Sequence, residues 1–175
     1  ETDPEYPDDL PPLRRPGVDV QEGDVLTAIN GRPTLAVPQL DQLLRNQTGK
    51  PVLLKRGLSM RIEEWLSAGE YVLSNNNAGL MFCERGIRTF ETYTRNTLDL
   101  SAVPIMKNET HCPVVIDPSQ GTGRADLVVA MCKGAVAMGA DALLVEVHPN
   151  PKAAKSDSAQ QLSLEAFAKM MTELR

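Results

Sequence analysis

The segment Pro51-Val52-Leu53-Leu54-Lys55-Arg56 decides how both parts of this sequence are interpreted. It is a short apolar run that ends in two cations. It closes a strand–helix–strand pattern that precedes it, and it opens a more regular pattern that follows it. We therefore expect residues 49–54 to be a seam shared by two modules, a short fragment upstream and a larger α/β unit over residues 51–175.

Downstream of the seam, short apolar runs recur at a nearly constant spacing. The runs cover residues 51–54, 80–83, 113–116 and 142–145. Continuous rather than alternating apolar residues are typical of parallel strands that are buried on both faces. Helical patterns occupy residues 62–74, 125–138 and 163–174. This alternation predicts repeated βα units, as in an α/β barrel or an open parallel sheet.

Ionisable side chains follow each of these runs. They are Lys55, Glu84 with Arg85, Asp117 and Glu146, and the steps from 55 to 84, to 117 and to 146 are 29, 33 and 29 residues. In α/β barrels the chemistry gathers at the carboxyl ends of the strands. The pattern therefore predicts a functional site along one edge of the sheet. The simpler interpretation is that these charges only cap the strands.

The composition argues against several classes of function. The chain has 175 residues, a net charge of −5 and a pI near 5.1, so no basic excess favours nucleic acid or an anionic membrane. No apolar run approaches the roughly 20 residues of a membrane span. The three cysteines are far apart in sequence, and we expect them to be buried and reduced, as in the cytoplasm. Since the chain begins with Glu1, we expect it to be a piece of a longer one.

The residues before the seam resemble a different family from those after it. Residues 1–16 are rich in proline and acidic residues and are expected to be an irregular arm. A strand is predicted at residues 25–29, a turn at Asn30-Gly31 and an amphipathic helix at residues 37–47. With the wording GVDVQEGDVLTAINGRP, residues from about 13 to 54 resemble the C-terminal half of a tricorn-type protease PDZ domain, and we expect a PDZ-like fragment over residues 17–54. The resemblance implies capture of a peptide C-terminus, and packing alone is the alternative.

Residues from about 50 to 175 resemble the 3-deoxy-7-phosphoheptulonate (DAHP) synthases. The resemblance rests on CERGIRTFETYTRNTLDLSAVP, PVVIDPSQGTGR and LLVEVHPNPKAAKSD, at residues 83–104, 113–124 and 143–157. That family folds as an (α/β)8 barrel. It condenses phosphoenolpyruvate with erythrose 4-phosphate at the entry to the shikimate pathway, using a divalent metal such as manganese. Because the match covers strands five to eight, it implies half of a (β/α)8 TIM barrel.

The same resemblance implies roles for individual residues. Lys55 corresponds to a catalytic lysine that contacts phosphoenolpyruvate. Arg85, with Glu84 beside it, corresponds to the arginine that binds the phosphate of this substrate. Ammonium and guanidinium groups suit such anions. Glu146 and Asp157 correspond to two metal ligands, and a helix N-cap is the alternative role for Asp157.

Gln120 stands where the family's Asp-Pro-Ser-His motif has a metal-ligating histidine. A neutral amide oxygen is a poorer ligand for a transition metal than imidazole. The family's metal-binding cysteine and its Lys-Pro-Arg-Thr-Ser loop do not occur in residues 1–50. We therefore expect weak metal binding and no turnover from this chain alone.

Three functional hypotheses remain open. The chain is a partial synthase barrel that keeps part of a phosphate site, a PDZ-derived peptide-binding module, or a recombinant chimera without a selected function. Because about five strands cannot close an eight-stranded barrel, we also expect a homodimer that covers the open strand edges.

Overall fold

A parallel sheet forms the centre of the structure, a computed structural model that describes residues 28–29, 32–33 and 50–174. The sheet has four strands in the order β3-β4-β5-β6. They are β3 (Val52–Lys55), β4 (Leu80–Glu84), β5 (Val114–Ile116) and β6 (Ala142–Leu143). Each strand pairs in parallel with the next, which confirms the predicted α/β arrangement.

Helices connect these strands. They are α1 (Ile62–Ser74), α2 (Ala102–Glu109), α3 (Pro118–Thr122), α4 (Ala125–Ala137) and α5 (Leu164–Glu173), with a 3-10 turn at Pro151–Ala153. The helices predicted at residues 62–74, 125–138 and 163–174 are confirmed to within one residue at each end. None of the helices in the described part of the chain is long and apolar enough to cross a membrane.

The main core lies between the sheet and helices α1 and α2. Trp65 of α1 is fully buried, and its ring meets that of Phe82 edge to face at a centroid distance of 5.2 Å. The indole N–H donates to the Leu54 carbonyl oxygen over 3.1 Å, which joins α1 to β3. A second cluster packs α4 against α5 through Val128, Cys132, Leu162 and Met170. The apolar periodicity of the sequence thus packs the helices against the sheet and against one another in two hydrophobic clusters.

Two helices were missed by the sequence interpretation. Helix α2 has only eight residues and contains Pro104, so it lacks the longer periodic pattern that identifies a helix. Helix α3 begins directly after β5, where the Asp117 carboxylate accepts a hydrogen bond from the backbone N–H of Gln120 at 2.9 Å. Pro118 occupies its first turn, where no backbone donor is required.

The last predicted strand is shorter than expected. The apolar run at residues 142–145 forms a strand only over Ala142–Leu143. Leu144 still donates to the carbonyl oxygen of Ile116, but the chain then turns to a different partner. The carbonyl oxygen of Glu146 accepts from the N–H of Leu162, and the N–H of His148 donates to the carbonyl oxygen of Leu162. Residues 146–148 are therefore held by the segment before α5 instead of by β5.

A short antiparallel pair is described upstream of the seam. It consists of β1 (Ala28–Ile29) and β2 (Arg32–Pro33), with Ile29 opposite Arg32. This pairing is what a hairpin at the predicted Asn30-Gly31 turn requires. The predicted arm at residues 1–16 and the predicted helix at residues 37–47 lie outside the described residues, so the upstream module remains a prediction.

Candidate functional site

The strand alternation brings three of the predicted residues to one face of the sheet. Lys55 pairs with Cys83 across β3 and β4, and Cys83 pairs with Val115 of β5. Since side chains alternate along a strand, Arg85 and Asp117 follow Cys83 and Val115 onto that same face. Lys55 Nζ lies 2.8 Å from the Asp117 carboxylate, which is almost completely buried. The ends of three neighbouring strands therefore contribute charged groups to one small area.

The thiol of Cys83 lies beneath these charges. Burial raises its pKa to about 12, with Asp117 adding to the rise and Lys55 opposing it. Burial also raises the pKa of the Cys132 thiol to about 11. All three cysteines are free and buried, as the sequence predicted. At neutral pH the Cys83 and Cys132 thiols are therefore protonated and poor nucleophiles, and we assign them to packing.

Glu84 lies on the opposite face, away from Lys55. Its side chain is fully buried, and one carboxylate oxygen accepts from Arg56 Nη1 at 2.9 Å. The other accepts from the backbone N–H of Gly86 at 2.7 Å. Arg56 Nη1 also contacts Asp99 at 2.8 Å, and its Nε donates to the Met60 carbonyl oxygen. Glu84 is therefore held inside the protein by a buried network of Arg56, Glu84 and Asp99.

Opposing effects set the ionisation of this buried network. Burial raises the pKa of Glu84, although its hydrogen bond with Arg56 acts in the other direction. Burial alone would lower the pKa of Arg56, but its bonds with Asp99 and Glu84 outweigh this and hold the pKa above its ordinary value. Burial would likewise raise the pKa of Asp99, but hydrogen bonds from Ser101 and Arg56 outweigh it and lower the pKa. One guanidinium thus balances two carboxylates.

The turn after β4 fixes the position of Arg85. Gly86 has a φ of +91°, and a Cβ at this residue would lie 2.6 Å from the Cβ of Asn96. Only glycine adopts this conformation in so little space. Because Glu84 binds the N–H of Gly86, the buried network also determines where Arg85 leaves the strand. Arg85 Nη2 donates to Gln120 Oε1 over 3.1 Å.

Glu146 lies beside Gln120 and is surrounded by amide groups. Its Oε1 accepts from Gln120 Nε2 at 3.3 Å and from Gln160 Nε2 at 2.6 Å, and its Oε2 accepts from Gln161 Nε2 at 2.5 Å. The backbone N–H of Glu146 donates to the buried Ser119 hydroxyl at 3.0 Å. Gln120 therefore links Arg85 to Glu146, so these predicted site residues do meet.

Asp157 is joined to this group only indirectly. Its Oδ1 lies 2.8 Å from Arg95 Nη1, which also donates to Gln160 Oε1 at 3.2 Å. The alternative role for Asp157 as the cap of the last helix is wrong, because the Ser163 hydroxyl accepts from Ala166 N–H at the start of α5. Glu146 and Asp157 are thus the two ends of a chain of hydrogen bonds that runs through Gln160 and Arg95.

The residues present do not fit the divalent metal that the resemblance implies. Gln120 supplies a neutral amide, and its oxygen already accepts from Arg85. Both oxygens of Glu146 accept amide donors, and Asp157 is paired with Arg95. Within residues 50–174 no group of three His, Cys, Asp or Glu residues is placed to hold a metal ion. The polar groups of this area instead pair with one another, since amides and a guanidinium group bind the two carboxylates.

Several residues of this area were missed by the sequence interpretation. Arg56 could have been found, because it follows Leu54 by two positions and must share the helix-facing side of the sheet. Arg95 lies within one of the quoted phrases, but nothing in its spacing indicates Asp157 as a partner. Gln160 and Gln161 come from the segment before α5, and no motif marks them. The sequence identifies charges at strand ends more readily than amides in loops.

Comparison with known proteins adds family relationships to this geometry. The model of the DAHP synthetase I family matches residues 39–175. The model of the Tricorn protease PDZ domain matches residues 1–61. The two matches overlap over residues 39–61, a range that includes the seam.

Similar proteins are known both as sequences and as structures. A phospho-2-dehydro-3-deoxyheptonate aldolase of Thermotoga maritima is 51% identical over 126 residues, which are 72% of this chain and 37% of that protein. A 2-dehydro-3-deoxyphosphooctonate aldolase of Methylococcus capsulatus is 33% identical over 135 residues, which are 71% of this chain and 47% of that protein. The chain therefore spans less than half the length of these relatives.

A solved structure reproduces the fold. The truncated form of the 3-deoxy-D-arabino-heptulosonate 7-phosphate synthase from Thermotoga maritima superposes with a TM-score of 0.71 at 51% sequence identity. The match covers 72% of this chain and 48% of that one. The parallel sheet and its helices are therefore similar to part of a larger protein.

Proposed function

Because the chain belongs to the DAHP synthetase I family, we propose that its carboxyl-end face carries part of a phosphoenolpyruvate site of a DAHP synthase. The observation that supports this assignment is the placement of Lys55 and Arg85 on one face of the sheet, each held by a polar partner. Lys55 is paired with Asp117 at 2.8 Å, and Arg85 with Gln120 at 3.1 Å. The Lys55 side chain is 38% exposed, so its ion pair with Asp117 leaves part of the ammonium group accessible.

Phosphoenolpyruvate carries a phosphate and a carboxylate, and two cations suit these two groups. The planar guanidinium of Arg85 offers two parallel donors to phosphate oxygens. The ammonium of Lys55 is a compact charge for the second anion, and the Asp117 carboxylate orients it from 2.8 Å away. Gln120 Oε1 accepts a hydrogen bond from Arg85, and Glu146 in turn holds the Gln120 amide through its Nε2. These residues bind and orient the substrate.

Binding of phosphoenolpyruvate to the polypeptide of residues 1–175 tests the assignment directly. By calorimetry we expect Lys55→Met and Arg85→Met each to weaken binding roughly 10- to 150-fold, since a hydrogen bond to a charged group contributes about 1.5–3 kcal/mol. Lys133→Met and Arg124→Met are matched controls, because these cations form ion pairs with Glu173 and Asp126. Equal loss in the controls, or no loss in the site variants, would refute the assignment.

We infer that this polypeptide alone does not turn over phosphoenolpyruvate and erythrose 4-phosphate. The relatives from Thermotoga maritima and Methylococcus capsulatus are each more than twice as long as the region that they share with this chain. Product formation should be assayed with and without added Mn²⁺. A turnover number within about a thousandfold of a typical enzyme's ~10 per second would overturn the inference.

The match to the PDZ model supports a second candidate, a module that binds peptide C-termini. Calorimetry with C-terminal peptides separates the two, because a PDZ-derived site binds them and the sheet edge does not. A chimera without a selected function would bind neither peptide nor phosphoenolpyruvate.

We further propose a homodimer in the reducing cytoplasm. Strands β3 and β6 are the edges of the described sheet, and Leu53 and Leu144 are 36% and 37% exposed beside them. A second copy would cover these apolar positions and strand edges. Light scattering over a range of protein concentrations tests this, and a monomer at all of them would contradict it.

A further inference from the structure

The carboxylate of Glu146 has an unusual set of partners. Three side-chain amides donate to it, from Gln120, Gln160 and Gln161, at 3.3, 2.6 and 2.5 Å. Gln160 is 2% exposed, and its oxygen accepts from Arg95. An amide that donates at one end and accepts at the other has a fixed orientation. Both ends of Gln160 are therefore committed to the hydrogen-bond chain.

Two guanidinium groups supply positive charge to the same area. Arg95 contacts Asp157 at 2.8 Å and Gln160 at 3.2 Å. Arg85 contacts Gln120 at 3.1 Å. The two carboxylates predicted as metal ligands, Glu146 and Asp157, are therefore connected to cationic side chains directly or through one amide. A neighbouring dication would be repelled by both guanidinium groups.

We propose that this network of glutamine amides and arginines replaces a divalent metal in this chain, so that Glu146 and Asp157 bind no transition metal. The network lies at the sheet edge assigned to phosphoenolpyruvate, and its role in a substrate site rests on the proposed function. Whether Glu146 and Asp157 bind a metal does not depend on that function. A metal entering between the two carboxylates would displace Arg95 from Asp157 and separate Glu146 from its three amide donors. In exchange it would gain Gln120, whose amide oxygen is a weak ligand for a borderline ion.

Titration of the whole polypeptide with Mn²⁺ alone, followed by electron paramagnetic resonance of the free ion, tests this replacement. We expect no saturable binding with a Kd below about 1 mM. Saturable binding at micromolar Mn²⁺ that disappears in Glu146→Gln would overturn the proposal. Binding that persists unchanged in Glu146→Gln would lie elsewhere and would support it.

Two substitutions, combined in one double variant, are expected to create Mn²⁺ binding that the unchanged chain lacks. Gln120→His restores an imidazole, and Arg95→Met frees Asp157 from its cation. Because partners around metal ligands typically change affinity by 10–100-fold, we expect the double variant to bind Mn²⁺ at least ~10-fold more tightly than the unchanged chain. Arg124→Met is the control, since it removes a comparable exposed ion pair, with Asp126 at 2.7 Å. Equal Mn²⁺ affinity in the double variant and the unchanged chain would refute the role of the network.

Folding and phosphoenolpyruvate binding are monitored separately. Circular dichroism melting of each variant establishes whether it folds. If the double variant does not fold, Mn²⁺ titration of the unchanged chain still decides whether Glu146 and Asp157 bind a metal. If the unchanged chain binds neither phosphoenolpyruvate nor Mn²⁺, the proposed function is refuted and the metal replacement stands. If it binds phosphoenolpyruvate and also binds Mn²⁺ at Glu146, the metal replacement is refuted and the proposed function stands.

Discussion

Replacing Arg56 by methionine tests the buried network most directly. The side chains of Arg56 and Glu84 are 6% and 0% exposed, and their charged atoms are 2.9 Å apart. In Arg56→Met the Glu84 carboxylate keeps the Gly86 N–H at 2.7 Å but loses its cation. Removing one partner of a buried ion pair typically costs about 3–5 kcal/mol, because the other charge stays buried without compensation.

That loss is large compared with the stability of a typical domain, about 5–15 kcal/mol. Urea unfolding at neutral pH measures it as a lower midpoint with an unchanged slope. Lys107→Met is the matched control, because its ion pair with Asp141 is 42% and 36% exposed and should contribute less than about 1 kcal/mol.

A double-mutant cycle with Glu84→Gln isolates the interaction. If the pair is coupled, the double variant should be more stable than the sum of the two single losses predicts, by about 0.5–3 kcal/mol. A loss in Arg56→Met no larger than that of the control, together with additive losses in the cycle, would refute the reasoning.

The pH dependence of the variant follows from the direction of the Glu84 shift. Burial raises the folded pKa of Glu84, so the folded state binds this proton more tightly than the unfolded state. Stability from the protonated form is complete below the unfolded pKa of about 4.3 and falls as pH rises through the folded pKa. The deficit of Arg56→Met should therefore be greatest near neutral pH and smaller in acid.

Three further predictions concern packing, a surface carboxylate and the thiols. Gly69→Ala should cost about 1–3 kcal/mol in urea unfolding, because its Cβ would lie 2.2 Å from the Phe82 ring, and Phe82→Leu should recover part of this loss. Asp141→Ala should cost about 1 kcal/mol near neutral pH. Hydrogen bonds from Lys107 and the Val114 N–H lower the pKa of Asp141, so this cost should persist above the unfolded pKa of about 3.9 and disappear as pH falls through the folded value. The three buried cysteines should react with a thiol reagent only after unfolding.

Each of these has a clear contrary outcome. Full stability of Gly69→Ala would show that the helix and the Phe82 ring separate without cost. A deficit of Asp141→Ala that grows in acid would contradict the sign of its pKa shift. Rapid modification of one thiol in the folded protein would contradict its burial.

The sheet was predictable because each strand is a continuous apolar run between helices. The strands at residues 51–54, 80–83 and 113–116 and the longer helices follow from that pattern alone. The end of the last strand was not predictable, since it depends on hydrogen bonds between residues 146–148 and Leu162, which are distant in sequence. Helix α2 was missed because eight residues with an internal proline give too short a periodic signal.

The site was predictable where it depends on strand ends and not where it depends on side-chain pairing. Lys55 and Asp117 meet as their strand positions suggested. The pairing of Arg95 with Asp157 joins residues 62 positions apart, and no local rule connects them. The tie between Glu146 and Gln160 likewise depends on how the loop before α5 folds back.

In two pairs of adjacent charged residues, Lys55-Arg56 and Glu84-Arg85, the alternation of side chains places one member on each face of the sheet. In Lys55-Arg56, the lysine contacts Asp117 on the open face and the arginine contacts Glu84 on the helix face. In Glu84-Arg85, the glutamate is buried and the arginine contacts Gln120. In each pair one charge fixes the end of a strand inside the protein, and its neighbour is thereby held at the surface where an anion could bind. A shift of either strand by one residue would exchange these roles and move Arg56 or Glu84 to the face that carries Lys55 and Arg85. The buried network therefore stabilises the register on which the placement of Lys55 and Arg85 depends.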